Sequence, residues 1–232
     1  MSTETWASEA IAEVDLVVCD VCHTLYRLNT TADFLHFVTG ETSPIRHQVV
    51  RALQWRGSPL MVAAYVMGRI VERDIGRDLQ LQMLRGMEEE CLAEMGERWL
   101  KMRGEPHLRG EVAGLLEKAM ASGVQVVLAS ASIDPVIDAV AERWGVEAVS
   151  SRLSYREGRC LGSLAVDMTG QKGAHLERYM EEKGALMVVS DNESDASLMH
   201  RAEVPVVVRR REGQSLERWR DLMGERVFRV IG

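Results

Sequence analysis

Two kinds of apolar pattern alternate along this chain. Short blocks rich in β-branched residues, at 14–19, 124–129, 146–149, 185–189 and 204–208, read as buried strands. Between them the apolar positions recur at helical spacing. Phe34, Leu35, Phe37 and Val38 follow a cap at Asn29-Thr30-Thr31, and Pro44 opens a segment with Ile45, Val49, Val50, Leu53 and Trp55 that ends at Gly57. Pro59 opens the next, with Met61, Val62, Tyr65, Val66 and Ile70, and further helices are expected at 78–85 and 87–103. Pro106 begins a helix through Leu108, Val112, Leu115, Leu116 and Met120 that stops at Gly123. Asp134-Pro135 caps another, ending near Trp144-Gly145, and Lys172 starts a last one reaching about Glu182. Residues 151–167 read as a hairpin turning at Glu157-Gly158.

Strands alternating with helices predict a doubly wound α/β fold, a parallel sheet covered on both faces. Residues 14–27 and 106–232 form its core, 28–105 an all-helical insertion or cap, and 1–13 an N-terminal extension. The methionines of the insertion are expected to fill gaps between its helices.

Charge narrows the function classes. With 27% charged residues and a net charge of -7, the chain is not expected to bind nucleic acid through bulk charge. Arg209-Arg210-Arg211 is followed by Glu212 and reads as a solvated turn. The insertion's Arg51, Arg56, Arg69 and Arg73 read as solvated helix faces. The acidic stretch 1–13 has no apolar segment, so no secretory signal is expected. Residues 59–68 are too few to span a bilayer; lying on a membrane surface is the alternative for the residues around them, and a helix packed within the protein is the expectation. A cytoplasmic location follows as the expectation. Cys19, Cys22 and His23 spell a haem-attachment string, but a buried strand end without an export signal excludes that use. Free thiols are the default for all four cysteines. No pattern along the chain specifies an oligomeric state.

Three strands end in polar residues, Asp20, Ser130 and Asp191, and parallel strands present such ends along one edge. Lys172, at a helix start, is in reach of the same edge. Two carboxylates, a hydroxyl and an ammonium suit a phosphate with a hard cation such as Mg²⁺, with one Asp free to attack phosphorus.

These residues resemble the ordered motifs of the haloacid dehalogenase superfamily: Asp20-x-Cys22-x-Thr24-Leu25, Ser130 after a hydrophobic strand, Lys172, and Asp191-x-x-x-Asp195. The helical insertion after the first motif and Ser130-Ala131-Ser132 with Asp134-Pro135 are most similar to the phosphoserine phosphatase-like branch. The resemblance implies a small phosphorylated metabolite as substrate and Asp20 as the nucleophile forming an aspartyl-phosphate. Ser130 and Lys172 would bind the phosphoryl group. Asp20, Asp191 and the Cys22 carbonyl would hold Mg²⁺, with Asp195 supporting the site or acting through water.

One position departs from the pattern. The family's phosphatases carry a second Asp two residues after the nucleophile, as general acid and base, and this chain has Cys22. The backbone ligand survives that change; the acid/base does not. Three accounts follow: His23 supplies the proton, the substrate has a good leaving group, or a long-lived aspartyl-phosphate passes its group to an acceptor. Members without the second Asp include P-type ATPases and phosphonoacetaldehyde hydrolases, although the cap lysine of the latter has only Lys101 as a counterpart. Ser190-x-Asn192-x-x-Asp195 resembles the dehalogenases themselves, against which stands the charge of Asp191. A binding-only member without turnover is the remaining alternative.

Overall fold

A computed structural model describes residues 3–55, 58–71, 74–182 and 184–232. Arg56, Gly57, Arg73 and Lys183 lie outside the described residues, as do the side chains of Pro59, Tyr65, Arg69 and Ile70. In chain order the elements are α1 (Thr3–Ile11), β1 (Leu16–Cys19), α2 (Thr30–Thr42), α3 (Pro44–Gln54), α4 (Pro59–Val71), α5 (Ile75–Leu81) and α6 (Glu89–Trp99). Then follow α7 (Gly110–Ala121), β2 (Gln125–Ile133), α8 (Asp134–Trp144), β3 (Glu147–Arg156), β4 (Arg159–Val166) and α9 (Lys172–Glu182). The chain closes with β5 (Leu186–Ser190), α10 (Ala196–Met199), β6 (Val204–Val208), α11 (Glu217–Met223) and β7 (Arg229–Ile231).

The seven strands make one sheet in the order β4-β3-β2-β1-β5-β6-β7, parallel except for the β3–β4 pair. β1 lies at its centre, so Asp20 leaves the most protected strand. Alternation sorts the strand side chains to two cores. Val17, Cys19, Val126, Leu128, Met187 and Val189 face one, with α1, α7, α8 and the helices of residues 30–99. Leu16, Val18, Val127, Leu186 and Val188 face the other, where α9, α10 and α11 contribute Leu176, Leu198 and Trp219. The fold is therefore α/β, with helices on both faces of a mostly parallel sheet.

Several boundaries differ from the sequence reading. β2 continues through Ser130 to Ile133 instead of ending at residue 129, with an irregularity in its pairing to β3 after Ser130. β3 is continuous where a short strand and a separate hairpin arm are expected. The hairpin turns at Glu157 and Gly158, both with positive φ (51° and 72°), the geometry of a tight two-residue loop. Pro106 opens only the short turn Glu105–His107, because Leu108 and Arg109 are drawn into extended backbone. There the Arg109 amide donates to the Leu25 carbonyl at 2.8 Å. β7 is too short to stand out in the pattern. The stretch ahead of β1 is helix α1, which buries Trp6, Ala7, Ala10 and Ile11 on one face.

The helices of the insertion share a core with the sheet. Phe34, Leu35, Leu92 and Trp99 belong to the same buried cluster as β1 and β2. Trp99 meets Tyr26 and Phe34 edge-on at centroid distances of 6.5 and 6.4 Å. α6 approaches α8 so closely that a Cβ on Gly96 would stand 1.9 Å from the Pro135 carbonyl oxygen. Among the described residues no helix is long and apolar enough to cross a membrane. The expectation that residues 59–68 pack within the protein fails in part: Val62, Val66 and Met67 of α4 face solvent.

Candidate active site

Four chain segments meet at the carboxyl edge of β1 and β5, and ion pairs tie them together. Asp20 follows β1 and is buried. One of its oxygens, Oδ1, accepts from Lys172 Nζ at 2.7 Å, and the other, Oδ2, lies 3.0 Å from the Thr24 hydroxyl. That hydroxyl is also 2.7 Å from Asp191 Oδ1, and it accepts the Asp191 amide at 3.0 Å. A hydroxyl has one proton, so Thr24 donates to one of the two carboxylates at a time. The second oxygen of Asp191 pairs with the guanidinium of Arg210. Lys172, the first residue of α9, also donates to Asp195 Oδ2 at 2.7 Å, where the Ser190 hydroxyl donates at 2.6 Å.

Three carboxylates and two cations thus share a largely buried site. Burial raises the pKa of Asp20, opposed by Lys172 and reinforced by Asp191. Asp195 is raised in the same way, by burial first, with Lys172 opposing. Burial works against the Lys172 ammonium, but Asp20 and Asp195 outweigh it and hold its pKa well above the ordinary lysine value. Lys172 therefore serves as a fixed positive charge and not as a proton donor near neutral pH.

A cavity of about 380 Å³ opens over this edge. Asp20, Cys22, His23, Lys172, Asn192 and Arg210 line it from the sheet side, and Met61, Asp74, Arg77 and Gln80 from the helical insertion. A model of the haloacid dehalogenase-like hydrolases matches residues 17–200, the span that carries all of these sheet-side residues but Arg210. The chain belongs to that family. No curated protein matches it by sequence. Its fold is similar to that of a Bordetella pertussis Tohama I protein of unknown function, with 18% identity and a TM-score of 0.75 over 94% of this chain and 97% of that one. Apo phosphoserine phosphatase gives a TM-score of 0.57 at 14% identity over 84% and 86% of the two chains. Cytosolic 5'-nucleotidase IIIB bound to cytidine gives 0.63 at 11% identity over 97% and 83%. At these identities the likeness is one of fold.

Within this haloacid dehalogenase-like hydrolase, Asp20, Lys172, Asp191 and Asp195 are joined in one hydrogen-bonded group. Ser130 sits apart from it, fully buried inside β2, with its Oγ accepting the Ser132 amide at 3.2 Å. It is Ser132, with Ala131, that lines the cavity, its hydroxyl 2.8 Å from Thr30 Oγ1 and 2.6 Å from Thr31 Oγ1. Past Ser130 the pairing of β2 with β3 becomes irregular, which breaks the alternation that would otherwise turn Ser130 and Ser132 to the same face.

Cys22 and His23 occupy the turn after Asp20. The Cys22 thiol lies 3.7 Å from the Leu28 carbonyl, and burial, then the charge of Asp20, push its pKa up to about 12. His23 adopts φ 61°, a left-handed conformation uncommon outside glycine and often found where function holds the backbone. Burial and the nearby Arg210 push its imidazole below the ordinary histidine value. Buried Arg109 holds the turn, donating to the Thr24 and His23 carbonyls at 3.1 and 3.2 Å.

Arg210 corrects the reading of residues 209–211 as a solvated turn. It follows β6 on the same sheet edge, so the topology that gathers Asp20 and Asp191 brings it to them. Its place two residues past a strand end was the available signal. Thr24 was visible as part of the first motif, but its bridging of the two carboxylates was not.

The donor set suits a hard divalent cation. Asp20 and Asp191 are buried carboxylates close enough to share one hydroxyl, an arrangement that needs positive charge nearby. Among the described residues no cluster of three or more His, Cys, Asp or Glu side chains is placed to hold a metal. Two carboxylates completed by a backbone carbonyl and waters is the coordination style of Mg²⁺.

Proposed function

We propose that this hydrolase is a Mg²⁺-dependent phosphatase acting on a small phosphorylated metabolite through an aspartyl-phosphate on Asp20. The observation that carries the reading is the anchoring of both Asp20 oxygens. Lys172 holds one and Thr24 the other, beside a second buried carboxylate on the neighbouring strand. Fixing a nucleophile in this way removes the cost of orienting it for in-line attack.

Asp20 attacks phosphorus, the bond to the leaving oxygen breaks, and water then cleaves the aspartyl-phosphate to release inorganic phosphate and restore Asp20. Asp20, Asp191 and the Cys22 carbonyl would hold Mg²⁺, which when bound neutralises the phosphate oxygens. Lys172 offsets the charge gathering on the transferred group, and Asp195, with Ser190, keeps its ammonium in place. Ser130 or its cavity-facing neighbour Ser132 donates to the phosphoryl oxygens. The Cys22 thiol is too weak an acid to protonate a departing alkoxide. Neutral His23, on the cavity wall, is the group available to accept a proton from the attacking water. Esters and acyl phosphates with good leaving groups therefore suit the site better than simple alkyl phosphates. Residues 28–105 act as the cap over a core of 14–27 and 106–232, closing to exclude water, with the cytoplasm as the setting.

Dehalogenation is disfavoured by Asp191, whose buried charge stands beside the nucleophile where an anionic haloacid would bind. The test is phosphate release from a panel of phosphate esters and acyl phosphates, with and without Mg²⁺, by wild type and Asp20→Asn. Release that requires both the metal and Asp20 is expected. Silence across the panel, acyl phosphates included, overturns the reading.

A further inference from the structure

On helix α4, several of the described bulky side chains turn outward. A surface helix ordinarily turns its bulky apolar residues to the core. Here the small residues Ala64 and Gly68 are buried, whereas Val62, Val66 and Met67 are 60, 54 and 56% exposed. Trp55, just after α3, is 66% exposed, while Trp6, Trp99 and Trp219 are buried. Of the nine large apolar side chains that the described residues expose, six lie between Ile45 and Met67. Concentrations of this kind mark interaction sites.

The patch continues into the molecule. Leu53, Trp55, Met61 and Val62 wall an open groove of about 640 Å³. Its far wall, Asn29, Ala32, Met61 and Gln80, is shared with the cavity over Asp20. An apolar chain lying in the groove would therefore bring a polar end to the nucleophile.

The charge of this region runs against that of the whole. Residues 44–73 contain Arg46, Arg51, Arg56, Arg69 and Arg73 against the single acid Glu72, in a chain of net charge -7. Arg46 is tied to the Met83 and Arg85 carbonyls at 3.0 and 3.1 Å, and Arg51 is exposed. Bulky apolar residues with an exposed tryptophan and arginines are the composition of helices that rest in a bilayer interface. Anionic headgroups attract such a segment. A second copy of this chain would meet it with the same positive charge in a two-fold pairing, which disfavours self-association through this face.

We propose that the α3–α4 face docks on an anionic lipid surface and that the groove takes the apolar chain of an amphiphilic phosphate monoester whose phosphate reaches Asp20. The docking stands on the surface alone; the substrate class rests on the phosphatase reading. Flotation with phosphatidylcholine vesicles, with and without phosphatidylglycerol, tests the first part. Wild type and Asp20→Asn float with the anionic vesicles only, and the emission of wild type shifts to the blue while that of Trp55→Phe does not. Replacing both Val66 and Met67 by Glu weakens vesicle binding at least about tenfold, with an unchanged thermal midpoint as the control for folding. No flotation of the folded wild type overturns the docking, as does a wild-type dimer in sedimentation velocity that the double variant dissolves. Phosphatidic acid and glycerol 3-phosphate are both slow alkyl phosphates with the same leaving oxygen, so the apolar chains alone should make release from the vesicle-borne lipid the faster. Turnover of the soluble ester but not the lipid overturns the amphiphile. Flotation without turnover of any phosphate compound overturns the phosphatase reading and leaves the docking intact.

Discussion

The sheet edge and the helical wall facing it enclose one cavity, but they are held in different ways. On the sheet side, Asp20, Thr24, Lys172, Ser190, Asp191 and Asp195 form a chain of contacts between 2.6 and 3.0 Å, all of them buried. On the helical side, Thr30 and Thr31 meet Ser132, and α5 is tied back through an arginine. Arg77 of α5 pairs with Asp167 and donates to the Thr169 hydroxyl at 2.9 Å, both beyond β4. The sheet edge has its geometry imposed by strand register; the wall depends on side chains reaching across a gap. Chemistry that tolerates no displacement sits on the first, and the surface that meets a substrate's variable part sits on the second.

The largest effect should come from breaking the rigid side. Lys172→Met removes the one ammonium between Asp20 and Asp195 and leaves two like charges buried together. Breaking such a pair costs roughly 3–5 kcal/mol, read as a lowered denaturant midpoint alongside lost phosphate release. Survival of wild-type stability would mean that the carboxylates accept protons at no cost. A gain of similar size sharpens the comparison. On the phosphatase reading, Cys22→Asp places a carboxyl acid/base in a turn already held by Arg109, and should raise turnover of alkyl phosphates by about 10²–10⁴-fold. An unchanged rate would assign the proton transfer to another group, with His23→Gln as the companion variant.

Smaller effects belong to the joints. Gly96→Ala forces α6 away from Pro135 and should cost about 1–3 kcal/mol as an overpacked contact, measured by thermal or denaturant unfolding. Wild-type stability there would mean that the two helices slide apart freely. The smallest effect is pH dependent. Burial alone would raise Asp167, but hydrogen bonds from Arg77 and the Thr169 amide outweigh it and hold the carboxyl below its ordinary value. A depressed folded pKa adds stability above the unfolded value and loses it as pH falls through the folded one. Asp167→Asn should therefore melt slightly below wild type near neutral pH, by well under about 1 kcal/mol for so exposed a pair. The gap should close below the usual aspartate range. A gap that persists in acid would remove the ion pair as its cause.

Much of the sheet side was legible because it is local. A β-branched run that stops at Asp20 or Asp191 announces both a strand and the residue at its end, and parallel pairing does the rest. Ser130 was less legible: the strand runs four residues beyond its apolar block, with irregular pairing after Ser130, and that extension decides which serine faces the cavity. Arg210 was hidden in a cluster of three arginines, since nothing local singles out the guanidinium that meets Asp191. The direction of α4 was equally hidden. Its apolar residues recur at helical spacing whichever way the helix is turned.

By itself, then, the amino-acid order determined the alternation of strand and helix and the polar residues Asp20, Ser130 and Asp191 at or near strand ends, while the resemblance to the family marked these together with Lys172. The alternation and the strand ends follow from short-range periodicity. Only the tertiary structure decided that Thr24 joins Asp20 to Asp191, that Arg210 completes the charge balance, that Ser132 reaches the cavity, and that Val62, Val66 and Met67 of α4 face solvent. Those outcomes depend on contacts between residues as many as 167 positions apart, where no sequence periodicity links the partners and only packing brings them together.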